Sequence, residues 1–173
     1  MKTQTSSFES LDKGELIALC DRLLTDDSGA VEECVAFIEA ETMGLWHGRA
    51  RAMMARRLKR CRVSQPQRTR AVRAILDRLV SGRFSEQFKD QLRFVLHVAP
   101  ERAFTVARSC QGAAAEHVRN YATWILSHET RDRCAEQGAA GQPLGFPSAS
   151  HVLSNSNLNP ASDALRHPSG AST

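Results

Sequence analysis

The side chains of this sequence with the clearest chemical potential are arginines, and they are concentrated between residues 45 and 83. That stretch holds twelve basic side chains and one acidic one, whereas residues 1–44 hold ten acidic and three basic side chains. A guanidinium group donates paired hydrogen bonds to carboxylates and phosphates, so a dense run of arginines is typical of an anion-binding surface. The segment must be neutralised by its acidic neighbour, by a partner protein or by a polyanion.

A helical projection selects the arginines that could act together. With 100° between successive residues, three arginines of a helix at 47–62 fall within about 40° of one another, away from its apolar face. Two arginines of a helix at 65–81 also point away from its apolar stripe. Arg73 and Asp77 have the i,i+4 spacing of a helical ion pair. The predicted partner- or anion-binding residues are Arg49, Arg56, Arg60, Arg70 and Arg73.

Two kinds of partner suit this surface, and one internal arrangement competes with both. An acidic protein surface is the first expectation, because carboxylates complement a row of arginines. Nucleic acid is the alternative, bound through its phosphate backbone rather than through its bases. The competing arrangement is neutralisation by the acidic helices expected at 10–43, and the segregated charge would also suit a homo-oligomer.

Residue patterns for catalysis and metal binding are missing. The six histidines form no HxxxH or HExxH pair, and none stands at metal-ligand spacing from a cysteine. Cys110 and His117 are seven residues apart, but Gly112 should interrupt the helix between them, so a nucleophilic pair is disfavoured. No phosphate-binding glycine loop or GxSxG motif occurs. We therefore expect no enzymatic activity, no metal ion and no cofactor.

Amphipathic helices are the elements that must position these side chains. Apolar residues recur at i, i+3, i+4 and i+7, and no comparable stretch alternates with period two. The clearest stripe is Val72, Ile75, Leu76 and Leu79. The sequence predicts an all-α fold of about seven helices in antiparallel pairs, near residues 10–25, 29–43, 47–62, 65–81, 85–98, 100–111 and 113–128, with room for a short helix near 129–137.

Start and stop signals agree with these helices. Ser64 precedes Gln67 with the spacing of a capping box, and Pro66 fits a first helical turn. Glycine readily adopts the left-handed conformation in which many helices end. The expected N-caps are Ser10, Ser28, Ser64 and Ser85, and the expected helix ends are Gly44, Gly82 and Gly112.

The helices recur with a regular spacing. First members of three helix pairs begin near residues 29, 65 and 100, and a period in the mid-thirties is typical of an α-solenoid. At Val118-Arg119, Ala122 and Leu126 the chain resembles the second helix of HEAT-like repeats. This resemblance covers residues 29–128 and implies stacked helices with a long exposed surface. An irregular bundle of antiparallel helices is the alternative, because it produces the same stripes.

Composition indicates how the chain is organised and where it works. Residues 1–137 suit one helical domain, whereas residues 138–173 are rich in Ser, Gly, Pro and Asn and are expected to form a disordered tail. An odd number of cysteines without CxxC spacing indicates reduced thiols in the cytoplasm. We expect four of them to be small core residues: Cys20, Cys34, Cys61 and Cys110.

The sequence taken as a whole predicts an interaction protein. No run of apolar residues is long enough to span a membrane. With no catalytic motif and strongly segregated charge, the chain is expected to be a non-enzymatic helical module that binds a protein partner through its arginines. Nucleic-acid binding through the same arginines is the alternative function.

Overall fold

The computed structural model describes residues 8–25, 27–84 and 87–139, and its regular elements are helical. No strand occurs in these residues, so the predicted all-α class is confirmed. A 3-10 turn at Leu23–Thr25 follows the first helix. The α-helices are α1 (Lys13–Arg22), α2 (Ser28–Glu39), α3 (His47–Leu58), α4 (Gln65–Ser81), α5 (Phe88–Val98), α6 (Pro100–Cys110) and α7 (Glu116–Ala139).

The first two helices begin at aspartates rather than at serines. Asp12 caps α1 and forms a capping box with Glu15, and each side chain accepts from the other residue's backbone N–H at 2.8 Å. Asp27 caps α2 and accepts from two backbone N–H groups at 2.8 and 3.1 Å. The predictions of Ser10 and Ser28 as N-caps are therefore wrong, because a nearby carboxylate is the stronger acceptor and also complements the helix dipole.

Helix α4 begins and ends where the sequence predicts. The N–H of Ser64 donates to Gln67 Oε1 at 3.0 Å, as a capping box requires. Gly82 ends the helix in the left-handed conformation, with a φ of 68°. A Cβ at Gly82 would lie 3.1 Å from His117 Nε2, so the left-handed backbone and this close side chain both favour glycine there. Ser85 lies outside the described residues.

Two other boundaries correct the sequence predictions. Helix α2 ends at Glu39, so residues 40–46 form a loop, and Gly44 lies within that loop rather than at a helix end. Helix α7 continues to Ala139, where the sequence suggested one helix to residue 128 and a second short one. Gly112 follows α6 but does not adopt the left-handed conformation. The loop at 40–46 matters most, because the candidate site lies beside it.

Consecutive helices pack on one another, except α3 and α4, and each of the first five also packs on the second helix along the chain. Helix α1 packs on α3, α2 on α4, α3 on α5, α4 on α6, and α5 on α7. Stacked helix pairs require this order, and an irregular bundle also permits it, so the choice between the two stays a prediction. Helices α3 and α4, which carry eight of the eleven arginines between residues 45 and 83, share no extensive contact.

The core is built from the predicted apolar stripes. The stripe of α4 is buried, and so are three large aromatic residues, Phe37, Phe88 and Phe94. Cys20, Cys34 and Cys110 are buried as predicted, whereas Cys61 is half-buried. None of the helices in the described ranges is long and apolar enough to cross a membrane.

The described residues all belong to one compact unit, Met1–Ala140. Residues 140–173 lie outside the described part of the chain. The disordered tail expected at 138–173 therefore stays a prediction, although residues 138 and 139 are the last two of helix α7.

Candidate functional site

The structure brings two of the five predicted arginines together. Arg56 and Arg60, near the end of α3, line one cavity of about 560 Å³, together with Leu24 and Cys61. Arg56 Nε lies 3.6 Å from a carboxylate oxygen of Asp90 on α5, whereas Arg60 is exposed to solvent. The cavity is therefore basic, with part of its charge balanced by α5.

Arg70 is neutralised by the acidic helix α2. Its Nη1 lies 2.5 Å from Glu32 Oε1, and its Nη2 lies 2.5 Å from Glu39 Oε2. Hydrogen bonds to Glu39 and Glu32 raise the pKa of the Arg70 guanidinium, and the bond to Arg70 lowers the pKa of Glu32. For this arginine, internal neutralisation is the arrangement that the structure contains.

Arg49 and Arg73 lie in two further environments. Arg49 Cζ lies 5.0 Å from the ring centroid of Trp46, and Lys13 Nζ lies 4.4 Å from the same centroid, both within the range of cation–π contacts. Arg73 is exposed on α4, and the described residues contain no ion pair between Arg73 and Asp77. The i,i+4 pair predicted from their spacing is therefore not formed.

Two arginines outside the predicted set are buried together. Arg51 of α3 and Arg78 of α4 are only 7% and 8% exposed. Their Nη2 atoms donate to the same carbonyl oxygen, that of Ala40, at 2.8 and 3.0 Å. Arg78 Nη2 also donates to the Ile38 carbonyl, and Arg51 Nη2 to the carbonyl and hydroxyl oxygens of Thr42 at 2.8 and 2.7 Å. The two guanidinium groups thus meet at the C-terminal end of α2, where carbonyl groups lack helical partners.

No carboxylate in the described part of the chain forms an ion pair with Arg51 or Arg78. Glu41, the acidic residue whose charge acts on both, is itself paired with Arg83 at 3.2 Å. Burial lowers the pKa of Arg51 to about 10, and the charge of Arg78 acts in the same direction. Burial also lowers the pKa of Arg78. Arginine side chains stay protonated at neutral pH, so two positive charges are buried side by side without an ion-paired carboxylate among the described residues.

The two arginines line a cavity of about 580 Å³, which we call the two-arginine pocket. This volume is in the range of small-ligand sites. Three polar atoms of its lining residues are closed off from solvent and have no hydrogen-bond partner among the described residues: Arg51 Nε, Arg78 Nη1 and Gln91 Oε1. Around these buried groups, the other lining residues include Glu41, Met43, Arg83 and Phe84.

The sequence contained a partial signal for this pocket. Arg78 lies three residues after Ile75 and one before Leu79, so it borders the apolar stripe of α4. Arg51 directly follows Ala50 and lies three residues before Met54, so it borders the apolar face of α3. An arginine at the edge of an apolar face can be buried when a neighbouring element supplies hydrogen-bond acceptors. That element is the end of α2, and no local pattern connects it with either arginine.

Comparison with known proteins finds no family model, curated protein or solved structure that matches this chain. The resemblance to HEAT-like repeats therefore stays a prediction from the sequence. Within the described ranges, no group of three or more His, Cys, Asp and Glu residues is arranged to hold a metal ion.

The pair weighed from the sequence as a nucleophile, Cys110 and His117, has separate surroundings. Burial raises the pKa of the Cys110 thiol, which disfavours the reactive thiolate. His117 Nε2 lies 3.2 Å from the carbonyl oxygen of Gly82. Among the described residues, the two-arginine pocket is the site best suited to bind a ligand, and its buried positive charges suit an anion.

Proposed function

We propose that the chain is a non-enzymatic helical interaction module that binds a carboxylate-bearing segment of a partner protein in the two-arginine pocket. The observation that carries this proposal is the burial of Arg51 and Arg78 beside a cavity, without a carboxylate of the described chain paired to either. A buried charge is costly unless it is paired and hydrogen-bonded. A carboxylate from a partner would remove that cost, so the burial of both charges favours the binding of an anion.

Capping of helix α2 accounts for only part of the charge. The carbonyl groups of Ile38 and Ala40 accept hydrogen bonds from the two arginines at the negative end of the helix dipole. That end is equivalent to about −0.5 of an elementary charge, whereas the two guanidinium groups carry two full positive charges. Most of the positive charge therefore remains to be balanced, and Arg51 Nε and Arg78 Nη1 have no acceptor among the described residues.

Apolar side chains beside the pocket favour a polypeptide over a small inorganic anion. Met43 and Leu45, both in the loop at 40–46, are among the most exposed large apolar residues, and Met43 is 92% exposed. Exposed apolar groups next to a charged pocket are typical of protein-binding surfaces, where methionine is enriched.

Selection from a randomised peptide library on the immobilised full chain tests the proposal. Peptides that carry a carboxylate should be enriched on the native chain. The enrichment should be lost on Arg78→Met and on the charge-preserving variant Arg78→Lys, which cannot reproduce the paired donors of the guanidinium group. The matched control is Arg73→Met, an exposed change on the same helix, which should keep the enrichment.

Two results would contradict the proposal. One is the absence of any enriched peptide on the native chain. The other is equal enrichment on Arg78→Lys when its circular dichroism spectrum shows that the helices are retained, because the peptides would then bind elsewhere.

Nucleic-acid binding is the second candidate function, and the cavity shared by Arg56 and Arg60 is the observation in its favour. Its support is weaker because Arg70 is already occupied by carboxylates of α2. With two phosphate contacts, log K against log salt concentration should fall with a slope of about −2 on duplex DNA. A mobility-shift titration of the native chain and of Arg56→Glu/Arg60→Glu measures this slope. Absence of binding by the native chain at low salt would rule out nucleic-acid binding.

A further inference from the structure

The cavity at the end of α3, which we call the three-arginine cavity, combines accessible guanidinium groups with apolar surface. Its volume is about 560 Å³, and it is lined by three arginines, two leucines and a cysteine: Arg56, Arg57, Arg60, Leu23, Leu24 and Cys61. The side chains of Arg56 and Arg57 are 52% and 27% exposed, and Arg60 is exposed to solvent. Among the described residues, no acidic side chain lines this cavity. Its arginines are therefore open to a ligand.

The positive charge at this cavity is only partly neutralised. Arg57 Nη1 lies 2.6 Å from Asp21 Oδ1. Asp90 is shared between two arginines, because its Oδ1 lies 2.9 Å from Arg93 Nη1 and its Oδ2 lies 3.6 Å from Arg56 Nε. With the third lining arginine, four arginines face two aspartates, which leaves an excess of two positive charges. A ligand with two negative charges would balance this excess.

A phosphate monoester has the charge and the acceptors that this cavity requires. It carries a charge of about −1.5 to −2 at pH 7 and three strong acceptor oxygens. Guanidinium groups bind phosphate through paired hydrogen bonds, and Asp21 and Asp90 hold two of the arginines in position before a ligand arrives. A carboxylate brings a single negative charge, so it would leave part of the excess unbalanced.

The surroundings of the cavity favour a single phosphate over a nucleic-acid backbone. A backbone is bound by several cations along its length, but Arg49 lies against Trp46 and Arg70 is held by two carboxylates of α2. Leu24 is 68% exposed at the cavity, so apolar surface adjoins the arginines. A phosphorylated side chain on a polypeptide supplies a doubly charged phosphate together with apolar neighbours.

We propose that the three-arginine cavity binds a phosphorylated serine, threonine or tyrosine side chain of a partner polypeptide. The phosphate lies between Arg56, Arg57 and Arg60, and an apolar residue beside the phosphorylated one packs on Leu24. Arginine clusters are a recurring means of recognising phosphorylated segments. The site shares no lining residue with the two-arginine pocket, so this proposal stands or falls independently of the carboxylate proposed there.

Peptide libraries on the immobilised full chain test the proposal. Two libraries of short randomised peptides carry a central phosphoserine or phosphotyrosine, and two matched libraries carry unmodified serine or tyrosine. Phosphorylated peptides should be enriched, with apolar residues beside the phosphorylated one. Equal recovery of the unmodified peptides, or no recovery of phosphorylated ones, would overturn the proposal.

A methyl ester on the phosphate of the best peptide tests the demand for two charges. The ester leaves one negative charge, as in each phosphate of a nucleic acid, and the affinity should fall about tenfold. Equal affinity for the ester would contradict the role of the second charge. Binding of duplex DNA, or of phosphatidylcholine vesicles that contain phosphatidic acid, without binding of any phosphopeptide would overturn the proposal in favour of those partners.

Substitutions at exposed positions assign the binding to this cavity with little risk to the fold. Arg60→Gln should lower the affinity for the best phosphopeptide at least about tenfold, because charged hydrogen bonds are lost. Arg73→Gln, an exposed change on α4, is the matched control and should leave the affinity unchanged. Leu24→Ser should lower the affinity for the phosphopeptide about fivefold and leave that for inorganic phosphate unchanged. An unchanged affinity of folded Arg60→Gln would show that the phosphate binds elsewhere.

Discussion

Arg70 and Arg78 lie about two turns apart on helix α4, and they hold their positive charges in opposite ways. Arg70 is at the surface, with its side chain 36% exposed, and two carboxylates of α2 neutralise it. Arg78 is buried and reaches only carbonyl oxygens at the end of the same helix α2. Arg70 is thus occupied by carboxylates, whereas Arg78 forms no ion pair with a carboxylate of the described residues, so exposure alone does not indicate which charge is available to a ligand.

The difference has an energetic consequence. Surface ion pairs contribute little, typically about 0–1 kcal/mol each, and salt screens them. A buried charge is screened far less, so a partner that supplies the missing carboxylate gains more at Arg78 than it would at Arg70. Three substitutions test this contrast, and the expected effects decrease from the first to the last.

Removal of Arg78 should cause the largest loss of stability. Arg78→Ala should lower the free energy of unfolding by about 2–4 kcal/mol, because the Ile38 carbonyl loses its charged donor and a cavity opens in the core. Arg73→Ala, on the exposed face of the same helix, should change it by less than about 0.5 kcal/mol. Urea denaturation measures both. Equal losses in the two variants would show that Arg78 is not integrated into the fold.

Removal of Arg70 should cost less and should depend on salt. Arg70→Ala should lower the free energy of unfolding by about 1 kcal/mol at low ionic strength, because two ion pairs to α2 are lost. The difference from the native chain should shrink in about 1 M salt, where the Debye length is about 3 Å. The account would be contradicted if the loss of unfolding free energy depended on salt in Arg78→Ala and did not depend on salt in Arg70→Ala.

The smallest effect should be a dependence on acid pH. Hydrogen bonds to Arg70 and Gln67 lower the pKa of Glu32 in the folded chain. The resulting stabilisation is present above the unfolded pKa of about 4.3 and is lost as pH falls through the lower folded value. The stability difference between the native chain and Glu32→Gln should therefore vanish at acid pH. The Arg78→Ala difference should persist there, because Arg78 has no carboxylate partner among the described residues.

Local patterns predicted the elements of this fold well. The stripe of Val72, Ile75 and Leu79 is buried, and Ser64 and Gly82 mark the ends of α4, because these features depend on residues a few positions apart. The N-caps of the first two helices were predicted wrongly because an aspartate within two residues of each predicted serine caps the helix instead.

The two-arginine pocket could not be predicted in the same way. Arg51 and Arg78 border the apolar faces of their helices, whereas the helical projection selects arginines that face outward. Which outward arginine meets a carboxylate depends on the packing of α2 against α4, and Arg70 reaches Glu32 across 38 positions of the sequence. The carbonyl oxygens that accept from Arg51 and Arg78 lack helical partners because α2 ends at Glu39, whereas Gly44 predicted a helix that continues to residue 43.

The central claim is that the buried arginines, and not the exposed ones, receive a carboxylate. NMR spectroscopy of the arginine side-chain N–H groups tests it in the full chain, with N-acetyl-leucine as the probe and N-acetyl-leucinamide as the matched control. We expect N-acetyl-leucine to shift the side-chain N–H signals of Arg51 and Arg78 in a saturable way. The Arg70 Nε–H signal should stay unchanged, because it donates to Glu39 at 2.9 Å, and the amide should shift none of them. An unmoved Arg51 signal, or an equal shift of the Arg70 signal, would contradict the claim.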